Sequence, residues 1–374
     1  MIVMNINIDN FMAFNNFHLS MSYPKRIVRS SIKEEYLYGY PNFRYKKIII
    51  LMGANATGKT SLGQFMNNVF NFIIKLNSNS ITYSICRKDK QAVFSIDFIP
   101  SDLLSGEIPY LHRLEAIFSP NNTNDEPDIK VSHKKVRILK KDNYETASKR
   151  LNEIKSSFDD YVNVLRSVPK FGFFFSYPND VIPNVMPKGE SENYRLILEK
   201  ILRSLDTSII RVERLTEAPN SYSIHMLNGR NVLIQDGHIV DTALLSSGTK
   251  AGIAIADVLT AIKEHRCGFY YCDERFSFIQ SHIERAVLAI MSDLLGNYEQ
   301  LFFTTHNMGV LNANFPKHTY VFMKKEILND VPYITCVGAD KFLKRNTASL
   351  IHAAENDLFS AAPDVDGLFE ILDS

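Results

Sequence analysis

An α/β chain with a mostly parallel sheet is the architecture that these 374 residues predict, with antiparallel strands at the N-terminus and an inserted mixed β and helical lobe. Three features lead there. Ile48-Ile49-Ile50-Leu51-Met52 is an unbroken apolar run, as a strand buried on both faces requires. From residue 246 onward the pattern becomes helix, strand, helix, strand, which calls for a parallel sheet. Between about 80 and 140 the pattern changes to short strands separated by turn-forming residues, which marks an insertion.

Taken in order, residues 2–19 alternate as two short strands with Asp9-Asn10 as the turn. A polar, Tyr-rich interval follows at 22–47. After the 48–52 strand, Leu62, Phe65, Met66, Val69, Phe72 and Ile73 recur at helical spacing. Strands are expected at 81–85, 93–98, 111–118 and 130–139. Leu151, Ile154, Phe158, Val162 and Leu165 predict one helix, and Leu198, Ile201, Leu202 and Leu205 another. Residues 171–175 read as a buried strand or, alternatively, an aromatic docking patch. Strands are expected at 209–215, 222–226 and 232–235, the last two joined across Asn228-Gly229. Helices at 253–262 and 283–295, the second stopped by Gly296, alternate with buried strands at 269–272 and 301–304. The discontinuous core is therefore 1–80 with 208–345, the lobe 81–207, and a helical extension 346–374.

The composition narrows the class. Lys and Arg total 42 against 41 Asp and Glu, and 45% of residues are hydrophobic, which excludes a disordered tail or a strongly basic nucleic-acid coat. The four cysteines are scattered without a CxxC pair, which fits a reducing compartment. No apolar run reaches the roughly 18–20 residues of a membrane span, and the first residues lack a signal-peptide pattern. The expectation is a cytoplasmic protein without a membrane partner.

Four motifs carry chemistry. Gly53-Ala54-Asn55-Ala56-Thr57-Gly58-Lys59-Thr60 is a complete GxxxxGK[ST] phosphate loop between a buried strand and a helix. Its glycines let backbone N–H groups curl around phosphates at a positive helix N-terminus. Lys59 would reach the β- and γ-phosphates of ATP, and the Thr60 hydroxyl would ligate Mg²⁺. Ala56, Thr57 and Ser61 complete the nucleotide-binding set with Gly53, Asn55 and Gly58. The strand at 269–272 runs into Asp273-Glu274, where Asp273 would hold Mg²⁺ and Glu274 would activate water. Leu245-Ser246-Ser247-Gly248-Thr249-Lys250 opens a helix; in isolation it is also a plain N-cap. Phe302-Phe303-Thr304-Thr305-His306 delivers a histidine at a strand end.

In that order, these motifs resemble the ABC-type ATPase superfamily, and within it the SMC, RecF and OLD-like branch. Residues 6–11 with Phe14 are similar to the first strands of that branch. Residues 244–311 resemble small bacterial ATPases of phage-defence and abortive-infection operons, including PARIS-type systems. The resemblance implies that Ser246 and Gly248 belong to a signature motif facing the γ-phosphate held by another subunit, that Glu274 is the catalytic glutamate, and that His306 is the switch histidine. It implies a head-to-tail homodimer, or a higher oligomer of dimers, around ATP. By analogy the output is a separate effector, a nuclease, in antiviral defence. Alternatives are a RecF- or SMC-like DNA-repair ATPase and a non-hydrolysing ATP-dependent scaffold. The chain departs from the family where Gln280 replaces a histidine, where Arg275 follows Glu274, and where only Gln91 is available as the glutamine of the loop leading into the lobe. The basic segment 130–141 reads as a solvated strand face or, alternatively, a nucleic-acid contact.

Overall fold

The computed structural model describes residues 1–27, 30–100, 108–121, 126–177, 192–236, 238–240, 245–328, 331–343 and 349–359. The chain opens with strands β1 (Ile2–Asp9) and β2 (Phe17–Ser20), antiparallel with Ile8 opposite Phe17. Within the expected polar interval lies a small hairpin, β3 (Tyr36–Leu37) and β4 (Tyr40–Arg44). Strand β5 (Ile48–Met52), buried throughout, leads through the phosphate loop into helix α1 (Lys59–Lys75). The strand expected at 81–85 is instead a short helix, α2 (Asn79–Tyr83). There Ile81 alone turns inward and Tyr83 is exposed, so no alternating face exists to be buried.

Strands β6 (Ala92–Ile99), β7 (Tyr110–Ser119) and β8 (Asp128–Arg137) follow as the alternation predicts. The single helix expected over 151–165 is broken into α3 (Tyr144–Glu153), the two-residue strand β9 (Asp159–Asp160) and α4 (Tyr161–Leu165). Ile154 leaves the helix in extended backbone, and Asp160 starts the next one by accepting the N–H groups of Val162 and Asn163. Next come β10 (Phe173–Ser176), α5 (Glu192–Leu205), β11 (Ile209–Arg214), β12 (Ser221–Met226), β13 (Asn231–Gln235) and β14 (His238–Ile239). Gly229 turns the β12–β13 hairpin at φ 78°. The alternating segment supplies α6 (Ser247–Lys263), β15 (Phe269–Asp273), α7 (Ser281–Leu294) and β16 (Gln300–Thr304). Helix α7 ends where Leu295 turns extended, and not on a left-handed glycine; the Gly296 N–H instead donates to Glu299 Oε2 at 2.7 Å. The chain continues through β17 (Tyr320–Leu328), β18 (Val331–Gly338), α8 (Ala339–Phe342) and α9 (Leu350–Glu355). Of the expected C-terminal extension, residues 346–348 and 360–374 lie outside the described ones.

The central sheet has the order β10-β15-β16-β5-β17-β18 and is parallel apart from the β17–β18 pair. Period-two alternation sends Ile49, Leu51, Phe269, Tyr271 and Phe302 to one face, against α1. Ile48, Ile50, Tyr270, Cys272 and Phe303 point to the other, against α6 and α7. The far side of α1 packs on the antiparallel sheet β2-β1-β6-β7-β8-β9, through Ile6, Ile8, Phe94, Ile96, Leu114 and Phe118. The layers are therefore antiparallel sheet, α1, parallel sheet, and α6 with α7. A third sheet, β11-β12-β13-β14, packs on α5 and α6.

The sheets do not divide where the local patterns suggest. Strands β6, β7 and β8, expected in a separate lobe, extend the sheet begun by β1, and β10 pairs with β15 in the parallel sheet. Pairing across such sequence distances is settled by shared burial, which local periodicity does not encode. Among the described residues no helix is long and apolar enough to cross a membrane.

Candidate functional site

The phosphate loop bends where the backbone can. Gly53 has φ 147° and Gly58 has φ 96°, and a Cβ on Gly53 would fall 2.4 Å from the Met323 carbonyl oxygen. Ala56 is also left-handed, at φ 61°. The curled loop wraps the Lys59 side chain, which is 3% exposed and donates to the carbonyls of Gly53 at 2.9 Å and Ala54 at 3.0 Å. The Thr57 hydroxyl donates to the Ala54 carbonyl at 2.8 Å, while Asn55 and Ala56 are exposed and Ser61 is half-buried. No acidic residue occupies the first turn of α1, so the helix N-terminus keeps its positive character.

Strands β5, β16 and β15 are neighbours, so their C-terminal ends converge. Asp273, at the end of β15, is fully buried. Its Oδ2 accepts from the Thr60 hydroxyl and its Oδ1 from the Thr304 hydroxyl, both at 2.7 Å. Burial pushes its carboxyl above the usual range and Glu274 adds to that, against the pull of both hydroxyls and of Lys59. A buried carboxylate still short of positive charge, touching a threonine hydroxyl beside a phosphate loop, has the oxygen donors that Mg²⁺ takes. The residues present therefore fit a divalent ion.

Glu274 follows in left-handed backbone, φ 42°, a conformation disfavoured for any residue with a side chain. Its N–H is tied to the Thr304 hydroxyl at 3.0 Å. One carboxylate oxygen lies 3.2 Å from the Lys59 ammonium and the other 3.8 Å from His306 Nδ1. The structure thus brings Lys59, Thr60, Asp273, Glu274 and His306 into one cluster. Among the described residues, no hydrogen bond or ion pair joins Ser246 or Gly248 to it. Ser246 caps α6, accepting from the Thr249 N–H at 3.1 Å, and a Cβ on Gly248 would stand 3.1 Å from the Phe278 carbonyl.

Local patterns miss Thr304 as the bridge between Asp273 and Glu274. They also miss Glu284, an acid on the buried stripe of α7 with Val287, Leu288 and Met291; a charge on an apolar stripe was its signal. Other candidates resolve differently. Gln91 is exposed, with its side-chain amide 3.4 Å from the Ser119 hydroxyl, and no described contact ties it to the cluster. Gln280 is the N-cap position of α7 without a side-chain cap bond. Arg275 is buried, and its Nε donates to Ser176 on β10 at 3.0 Å. Phe174 and Phe175 are core residues of β10, so the stretch 171–175 is the buried strand.

The basic segment is partly engaged with its own fold. Lys134 is 9% exposed, 2.9 Å from the Ser156 hydroxyl and 3.4 Å from Glu115. Lys135 lies over the Tyr110 ring and Lys140 over Tyr40. Lys130, Lys135, Arg137, Lys140 and Lys141 remain exposed, as on a solvated strand face. Among the described residues no cluster of His, Cys, Asp and Glu is arranged to hold a metal by itself, and all four cysteines are free thiols.

No protein-family model and no curated protein matches the chain. Solved structures do. An SMC head bound to the C-terminal winged-helix domain of ScpA superposes with a TM-score of 0.52 at 14% identity, covering 91% of this chain and 100% of that one. An SMC head with an extended coiled coil, bound to the C-terminal domain of ScpA derived from Pyrococcus furiosus, gives 0.51 at 12% identity, covering 92% and 98%. At such identities the likeness is one of architecture. The chain has the fold of SMC head domains, an α/β core with a mostly parallel sheet and N-terminal antiparallel strands.

Proposed function

We propose that this chain binds ATP with Mg²⁺ and hydrolyses it between two copies of itself. The observation that carries the reading is the bonded cluster of Lys59, Thr60, Asp273, Glu274 and His306 where three parallel strands end. Backbone N–H groups of 53–60 cradle the phosphates of the substrate. Lys59 exchanges the Gly53 and Ala54 carbonyls for phosphate oxygens. Thr60 and Asp273 would hold Mg²⁺, which would supply charge neutralisation for the phosphoryl group being transferred. Glu274 orients and deprotonates the attacking water, and His306 senses the γ-phosphate.

Among the described residues Ser246 and Gly248 make no hydrogen bond to that cluster, and they lie at the N-terminus of α6, whose first turn holds no acid. This supports their use in trans, with α6 of one copy facing the nucleotide on the other in a head-to-tail dimer. Glu274→Gln tests the reading. It should cut turnover by about 10²- to 10⁴-fold while ATP-bound dimers accumulate, read by phosphate release and light scattering after size exclusion. A variant that hydrolyses ATP at the wild-type rate, or a wild-type chain that does not bind ATP, would falsify it.

The output we assign is control of a separate effector, a nuclease, in antiviral defence. That step rests on the motif resemblance read from the sequence of 244–311, and the ScpA-bound SMC heads are a precedent for a separate protein docking on this fold. The effector should copurify with the Glu274→Gln chain, and Lys59→Ala should abolish protection of cells against phage. Unaltered protection by Lys59→Ala removes the defence role and leaves the ATPase reading standing.

A further inference from the structure

Helix α7 carries an acid that the phosphate chemistry leaves unused. Glu284 lies on the buried stripe of α7 and is 1% exposed. Each carboxylate oxygen takes one hydrogen bond from the loop after β16. The Thr305 hydroxyl donates to Oε1 at 2.9 Å, and the Asn307 amide donates to Oε2 at 2.5 Å. Those two residues flank His306. Asn307 is pinned further, its N–H donating to Thr305 Oγ1 at 3.0 Å and its amide oxygen accepting from the Gly309 N–H at 2.9 Å.

The imidazole of His306 is half exposed, and its one polar contact among the described residues is the 3.8 Å approach to Glu274. No bond on the ring fixes it. Its place is set by the backbone of 305–307, where Glu284 holds the side chains on both sides of the ring, alongside the Thr305 N–H donating to the Leu51 carbonyl at 3.1 Å and the Asn307 amide donating to the Ser281 hydroxyl at 2.8 Å. Burial pushes the Glu284 carboxyl up, while Asn307, Thr305 and the nearby His306 pull it back toward ionisation. The first turn of a helix favours a negative charge, which explains why the acid is tolerated there. It does not explain why both oxygens are spent on one loop.

We propose that Glu284 is a positioning residue that holds His306 against Glu274 by clamping residues 305 and 307. Its kinetic test rests on the ATPase reading above. Glu284→Ala should lower kcat by about tenfold to hundredfold while KM for ATP stays within about twofold, because the loop that is freed orients a reacting group. In a His306→Ala background the same substitution should change kcat by less than about twofold, since the ring it positions is gone. A merely structural acid would slow both backgrounds alike; that result, or an unchanged kcat in the single variant, overturns the proposal.

Glu284→Asp keeps both acceptor oxygens on a shorter arm and takes over if the alanine variant does not fold. Its loss should likewise vanish beside His306→Ala. Should the wild-type chain hydrolyse no ATP, the functional reading falls and the clamp is judged without turnover. The ring resonance of His306, assigned by its absence in His306→Ala, should then shift or broaden in Glu284→Asp. A resonance unchanged from wild type refutes the clamp.

Discussion

On α6, Asp257 is 5% exposed, bonded to the Tyr194 hydroxyl and near the charges of Arg275 and Arg266. Burial outweighs these partners and pushes its carboxyl up to about 7. The native chain therefore keeps a proton that the unfolded chain releases near pH 4. Stability contributed by this group is full below about pH 4 and declines as pH rises toward 7. Asp257→Asn keeps an acceptor for Tyr194 and removes the titration. Its stability relative to wild type should improve by about 3 kcal/mol between pH 5 and pH 8 in urea unfolding; a gap that does not move with pH contradicts the assignment. Asp273 is buried as deeply but meets two hydroxyl donors and Lys59. At this scale the sequence is most readable where chemistry is contiguous. Lys59, Thr60, Asp273, Glu274 and His306 each sit in a short motif. Thr304 and Glu284 act through partners 31, 21 and 23 positions away, which no local window contains.

Helix α1 shows how an element is tuned to its neighbours. A Cβ on Gly63 would stand 2.5 Å from the Tyr271 ring, which is buried, stacked between Phe175 and Phe302, and hydroxyl-bonded to the Lys59 carbonyl at 2.7 Å. Gly63→Ala should therefore destabilise the chain by about 1–3 kcal/mol, although alanine is the better helix former by about 1 kcal/mol. Chemical denaturation checks the sign. Strands β5, β15 and β16 are legible because residues buried on both faces leave an unbroken apolar run. Helix α2 is not, since its five residues include β-branched Ile81 and Thr82 and bury only Ile81. The break between α3 and α4 is equally hidden: Ile154 and Phe158 continue a helical spacing by coincidence, and both side chains are exposed.

For the whole molecule, local reading finds the strands and misassigns their company. Residues 81–207 look like an insertion, yet they supply four strands to the sheet of β1 and one edge of the parallel sheet. Replacing 81–207 by a short linker should accordingly abolish cooperative unfolding, because Phe94, Ile96, Leu114 and Phe118 close the core over α1. A soluble product with a sharp transition would show that the remainder folds alone.

Along α1 only Gln64 and Lys75 are exposed, so the helix is gripped on nearly every side for its 17 residues. It behaves as a stiff rod about 25 Å long, with Lys59 and Thr60 at its tip. A tug on that tip cannot be absorbed by slack and must be handed to both flanking layers. The N-terminal strands, packed along this helix, are in this sense the other arm of a lever.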